Sequence, residues 1–286
     1  MRLRRRLCCH GQSVVRRPVC GAGMNVATAQ LPSKSNEDRV LTATSSVIVL
    51  DGATSFDSAA PAGAYVDVLG DELCRRLSGT DDLREALSGA IAATADRLSI
   101  RAGHAPSCTV AMLRLRPTAL DVLVLGDSPA IVGMLDGSHH VLADERLERL
   151  DLPESDQYRN RLRSGAGYDD AHRGILRSLQ RQQRQRRNRA GGYWIAEADP
   201  TAAHHAIVEQ LPPDDVSWVI LATDGAAKPL VPLGITWPEI ADLGPAALSQ
   251  LLDRCQQWEA HIDPDGQLQP RAKRHDDKTI AVVRLP

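Results

Sequence analysis

Short apolar runs, most of them bounded by an acidic residue, punctuate the chain. The run Val47-Ile48-Val49-Leu50 reads as a buried strand that ends in Asp51-Gly52. A glycine behind the carboxylate lets the backbone pass close to whatever Asp51 holds. Strands are predicted also at 40–44, 108–115, 120–125, 130–135, 216–223 and 279–285. The polar pair Ser45-Ser46 makes a hairpin of the first two strands, and Arg116-Pro117-Thr118-Ala119 joins 108–115 to 120–125. Helical spacing governs two stretches: Tyr65, Val66, Leu69, Leu73 and Leu77 within 61–78, then Leu83, Leu87, Ile91 and Leu98 after Thr80. Residues 143–210 are polar and read as helical in pieces. Thr236-Trp237-Pro238-Glu239 has the form of a capping box with proline in the first turn, and Gly244-Pro245 breaks and restarts the helix it opens. Strands that follow one another without regular crossover helices predict antiparallel sheets packed together, with helices outside.

A chain of 286 residues can bury a substantial core, as one domain or two. Residues 1–23 differ from the rest. Arg2, Arg4, Arg5, Arg6, Arg16 and Arg17 stand there among Cys8, Cys9 and Cys20, without strand or helix periodicity. The stretch lacks the apolar core of a signal peptide. It reads as a disordered tail, or as sequence upstream of a start at Met24, ahead of a basic nucleic-acid arm. The globular pattern covers 24–286, with 143–210 as a variable, flap-like segment. A net charge of −2 argues against global attraction to nucleic acid or to an anionic membrane. No apolar run reaches the roughly 18 residues that a membrane span requires. The six cysteines form no CxxC pair and no zinc-ligand spacing, so free thiols in a reducing, cytoplasmic compartment are expected. Nothing in the sequence asks for more than a monomer.

The acidic residues change this picture by repetition. Asp224-Gly225 follows 216–223 as Asp51-Gly52 follows 47–50, and Asp127 follows 122–126. Asp276-Asp277 precede 279–285, and Glu37-Asp38 precede 40–44. Five acidic clusters at strand ends, with no comparable set of histidines or cysteines, predict convergence on hard cations with oxygen ligands.

In chain order, Asn36-Glu37-Asp38-Arg39, Leu50-Asp51-Gly52, Ser107-Cys108-Thr109, Gly126-Asp127-Ser128, Ala222-Thr223-Asp224-Gly225 and Asp276-Asp277-Lys278-Thr279 span residues 30–286. The set resembles the motifs of the metal-dependent serine/threonine protein phosphatases, the type 2C or PPM family, in their bacterial form. The resemblance implies an α+β fold, a four-layer α/β/β/α sandwich of two antiparallel sheets flanked by helices, with metals at one sheet edge. It implies hydrolysis of phosphoserine and phosphothreonine in protein substrates by a metal-activated water, with Asp51 and Asp224 at the catalytic centre. By the same resemblance Asp51 bridges two Mn2+ or Mg2+ ions. Asp224 and Asp276 bind one of them, and the Gly52 carbonyl binds the other. Glu37 and Asp38 contribute directly or through water, and Asp127 with Asp224 forms a weaker third site. The physics agrees, because crowded carboxylates repel one another and dications remove that cost. Cys108 need not be a nucleophile and reads as a small packing residue.

Three departures bear on substrate handling. The position five before Asp38, where family members commonly carry a phosphate-binding arginine, is Ser33; Lys34 and Lys228 are the nearby candidates to replace it. Ala53 stands where some members place a histidine general acid, so the leaving group must be protonated by another donor. The family's Gly-Ser-Thr reads Ser107-Cys108-Thr109. Within 172–189, Arg173, Arg177, Arg181 and Arg184 lie at helical spacing, so the segment reads as a cationic helix. Arginines outnumber lysines 30 to 4, a bias that a GC-rich coding sequence can produce, so a solvated surface helix is one reading. Docking of substrate by Arg177, Arg181 and Arg184 is the other; nucleic acid ranks below both, since no aromatic residues interleave. Haloacid-dehalogenase chemistry fails on paper, because Val49 and Ala222 stand two residues before Asp51 and Asp224. The remaining alternative is a regulatory module of the same fold that binds a phosphoprotein without turnover.

Overall fold

The structure, a computed structural model, describes residues 23–34, 36–54, 61–78 and 82–286. The expected tail at 1–23 therefore lies, but for residue 23, outside the described residues. The chain runs β1 (Asn25–Leu31), β2 (Asp38–Thr42), β3 (Ser46–Ala53), α1 (Ala62–Arg76), α2 (Leu83–Leu98), β4 (Ser107–Arg116), β5 (Ala119–Leu125), β6 (Ala130–Met134) and β7 (His139–Leu142). It continues through α3 (Pro153–Arg163), α4 (Asp170–Arg186), β8 (Ile207–Leu211), β9 (Val216–Ala222), α5 (Asp224–Ala227), α6 (Leu230–Leu233), α7 (Trp237–Ala241), α8 (Pro245–Gln257) and β10 (Lys278–Arg284). One antiparallel sheet has the order β1-β10-β9-β6-β7 and the other β2-β3-β4-β5-β8.

Side-chain alternation along each strand divides the core into layers. Val47 and Val49 of β3 meet Val219, Leu221, Ala281 and Val283 of the opposite sheet, in a dry layer between the two sheets. Ile48 and Leu50 face the other way, onto Tyr65, Val66, Leu69 and Leu87 of α1 and α2. Ile220, Ala222, Ile280 and Val282 cover the outer face of the second sheet, against Leu248, Leu251 and Leu252 of α8. Each fully buried valine, leucine or isoleucine among them contributes about 1.5–3 kcal/mol. The result is the four-layer α/β/β/α sandwich the motifs implied.

Because neighbouring strands alternate in direction, the C-terminal ends of β3, β5 and β9 and the N-terminal ends of β2 and β10 share one end of the sandwich. Every acidic motif lies at that end.

Three strands had no clear sequence signal. β1 buries only Ala27 and Ala29, small residues with little strand preference. β7 has four residues, three of them exposed. β8 falls inside the polar stretch 143–210 yet pairs with β5, so the stretch closes on a sheet edge. Between β7 and β8, α3 and α4 form a small unit around Leu152, Tyr158, Leu162 and Leu179. The predicted cationic helix is α4, and the predicted capping box at Thr236 and Glu239 forms at α7. Among the described residues no helix is long and apolar enough to cross a membrane.

Candidate metal centre

Strand register places the first two carboxylates. Asp38 of β2 and Asp51 of β3 are direct cross-strand partners. Asp51 continues the inter-sheet face of Val47 and Val49, so it sits where the dry layer opens to solvent. Asp127 follows β5, in the link that crosses to β6 of the opposite sheet. Asp224 opens α5 directly after β9, and Asp276 lies two residues before β10. Two sheets thus deliver their acids to one point.

Two glycines permit the approach. A Cβ on Gly52 would stand 2.8 Å from the Glu37 carbonyl oxygen, which accepts the Gly52 N–H at 3.2 Å. A Cβ on Gly225 would stand 2.1 Å from the Asp277 oxygen, so only glycine lets the Asp224 turn lie against the segment carrying Asp276.

Hydroxyl and amide groups hold the acids in place. The Thr223 hydroxyl donates to Asp38 Oδ2 at 2.9 Å and accepts from the Thr279 N–H at 3.0 Å. Asp277, buried, accepts the N–H of Glu37 at 2.6 Å and that of Ser33, which fixes the loop before β2. Thr54 donates to Glu37 Oε1, and its oxygen accepts the Ala62 N–H at the start of α1.

The electrostatics follow from crowding. Burial, then the charges of Asp38, Asp224, Asp276 and Asp127, push the Asp51 carboxyl well above its usual range. Burial raises Asp38 to about 7, with Asp277 and Asp276 adding to it against hydrogen bonds from Thr279 and Thr223. Burial and the neighbouring Asp224 raise Asp127 to about 6, and Asp276 also moves up for the same two reasons. Asp224 is the exception. Burial acts upward there too, but the Lys228 ammonium and a hydrogen bond from Asp51 hold it low.

Two lysines complete the cluster. Lys228 Nζ lies 2.5 Å from Asp224 Oδ2, and Lys273 Nζ lies 2.8 Å from Asp276 Oδ1. Lys273 also feels the charges of Asp51 and Glu37. Lys34, the other lysine near the motifs, is exposed on the loop before β2, where its N–H donates to Ser33 Oγ.

Among the described residues, no three His, Cys, Asp or Glu side chains form a ready-made ion cage. Asp224 and Asp276 are drawn instead onto their ammonium partners. The donor set nonetheless fits hard dications. Glu37, Asp38, Asp51, Asp127, Asp224 and Asp276 are all oxygen donors, and when all are ionised the two lysines leave four negative charges uncompensated. Two dications cancel that charge.

Cys108 is fully buried beside the cluster. Burial and the charges of Asp51 and Asp38 push its thiol well up, which disfavours a reactive thiolate. Arg177 and Arg181 are exposed on α4 and Arg184 is half-buried. The α3–α4 unit reaches the cluster through the segment before β10. His172 Nε2 lies 2.9 Å from the Ala272 oxygen, and Arg271 and Arg274 stack over Tyr168. Sequence reasoning passed over Asp277, Thr223 and Thr279 as positioning groups, although each stands inside a quoted motif. It had no signal for Lys273, whose role depends on how the 263–275 segment folds back.

Comparison with solved structures decides the architecture. A bacterial serine phosphatase superposes with a TM-score of 0.58 at 11% identity, covering 92% of this chain and 98% of that one. The chain has the PPM phosphatase fold. The catalytic domain of the serine/threonine phosphatase PstP, solved with two manganese ions, matches at 0.52 and 15% identity, over 91% of this chain and 97% of its own. The PPM Ser-Thr phosphatase MsPP from Mycobacterium smegmatis, solved with cacodylate, matches at 0.52 and 17%, over 92% and 98%. No family model matches the sequence, and no curated protein matches it. At these identities the PPM likeness is one of fold, and the chemistry must be argued from this chain's own residues.

Proposed function

We propose that the chain is a metal-dependent protein serine/threonine phosphatase that hydrolyses phosphoserine and phosphothreonine. The observation that carries this reading is the convergence of six carboxylates from both sheets on one solvent-open end of a PPM sandwich. Asp51, Asp224 and Asp276, with Glu37, Asp38 and the Gly52 carbonyl, would hold Mn2+ or Mg2+. The two manganese ions of the similarly folded PstP support that choice. Held by these residues, such ions would supply a nucleophilic water and counter-charge for the phosphoryl oxygens.

The chain's own residues prepare the site. Thr223 and Thr279 orient Asp38, Asp277 fixes the Glu37 loop, and Gly225 lets Asp224 approach Asp276. Such groups around a metal ligand are worth roughly 10–100-fold in affinity or activity. The guanidinium groups of Arg177, Arg181 and Arg184 dock acidic phosphoprotein substrates beside the cluster.

The test is release of phosphate from para-nitrophenyl phosphate and from a phosphothreonine peptide, with Mn2+ and with chelator. Mn2+-dependent turnover of both is expected. Ser33 and Ala53 favour the second reading, a phosphoprotein-binding module without turnover. Peptide binding with no hydrolysis at any Mn2+ concentration would establish that module instead.

A further inference from the structure

Lysine is scarce in this chain, four residues against thirty arginines, yet two of the four stand on the acidic cluster. Lys278 is fully buried on Glu259, and Lys34 is exposed. A chain that uses arginine for almost every cation has lysine where the carboxylates are densest. The two differ physically. Arginine presents a broad planar fork, whereas the lysine ammonium is a compact point charge with three donors. Only the latter resembles an ion.

The backbone of Lys228 is held on two sides. It follows Asp224 by one helical turn, and its N–H donates to the Asp224 carbonyl at 2.9 Å. Its own carbonyl accepts from Gln269 Nε2 at 2.8 Å. The ammonium, which is partly exposed, meets Asp224 at 2.5 Å and lies within electrostatic reach of Asp127. Its two acidic partners are the pair to which the PPM resemblance gives a weak third ion.

We propose that Lys228 is a tethered cation that takes the place of a third dication between Asp127 and Asp224. The inference rests on the metal-dependent reading above and adds to it that this chain holds two dications, not three. A tethered ammonium is present at a fixed local concentration whatever the metal supply. The Asp127 side of the centre then carries a permanent counter-charge, and only the Asp51 side responds to Mn2+.

The test counts ions. The full chain, stripped with chelator, is equilibrated with increasing Mn2+, and bound metal is measured by elemental analysis alongside calorimetric titration. Wild type is expected to take up two ions. Lys228→Met and Lys228→Asp should each gain a third, weaker ion, and adding Asp127→Asn to Lys228→Asp should remove it. Circular dichroism confirms that each variant is folded, and the methionine keeps the length of the lysine stem if the aspartate unsettles α5. Three ions on wild type, or two on both folded variants, overturns the tethered cation while leaving the metal-dependent reading intact. No Mn2+ bound by wild type overturns the metal-dependent reading itself.

Discussion

Asp121 and Asp51 occupy opposite ends of the same sheet, and their surroundings are opposite too. Asp121 is buried but fully answered. Arg114 donates to it at 3.0 Å, Arg116 at 2.8 Å and Gln210 at 2.8 Å. Burial acts to raise its carboxyl, and the hydrogen bonds from Arg116, Gln210 and Arg114 outweigh it and hold it low. Asp51 has acids for neighbours, and burial with their charges drives its carboxyl up. One end has its counter-charges built in; the other needs them supplied from solution. A buried carboxylate therefore does not by itself mark a site. A cluster of them left without cations does.

Exchanging each aspartate for asparagine separates the two roles, and the largest effect should come from Asp51→Asn. Turnover should fall roughly 10²–10³-fold, the scale lost when one preorganised electrostatic group is removed from an active site. Stability of the ion-free protein should hold or rise, since a repelling carboxyl is gone. Unfolding with loss of activity would make Asp51 a structural residue.

Asp121→Asn should do the reverse. It exchanges the charged acceptor of buried Arg114 for a neutral one, at a cost of about 3 kcal/mol. Chemical denaturation should read that loss, with turnover per folded molecule unchanged.

pH sharpens the comparison further. Asp38 at about 7 and Asp127 at about 6 lie above the ordinary 3.8. The ion-free native state therefore binds more protons than the unfolded chain between pH 3.8 and 7, and loses stability as pH rises through that window. On the Asp51 side Mn2+ replaces such protons, that of Asp38 among them, so its stabilising shift in melting temperature should be larger at pH 8 than at pH 5. Equal shifts would mean that the ion binds elsewhere.

The smallest effect concerns α4. Changing Arg177, Arg181 and Arg184 together to glutamine should lower efficiency on an acidic phosphopeptide a few-fold and flatten its salt dependence, as screened attraction requires. Para-nitrophenyl phosphate, too small to reach the helix, should be unaffected. Equal losses on both substrates would give the helix a supporting role only.

The same contrast explains what the sequence made legible. Asp51, Asp127, Asp224 and Asp276 stand beside short apolar runs, so their strand-end positions could be read directly. The strands β1, β7 and β8 were obscured by alanines, shortness and an exposed edge. The lysine contacts were hidden for another reason. Lys273 and Asp276 are three residues apart, in a segment without regular structure whose bend no sequence pattern announces; that segment packs on the α3–α4 unit through Tyr168, His172 and Arg271. Asp121 looked like any strand aspartate until Arg114 appeared opposite it in the register.

Anomalous diffraction from Mn2+-loaded crystals of the full chain tests the central claim most directly. The expected map has manganese peaks beside Asp51, among Asp224, Asp276 and Glu37, and none between Asp127 and Asp224, whose charge the Lys228 ammonium answers from its contact with Asp224. A map with no peak beside Asp51 would contradict the account.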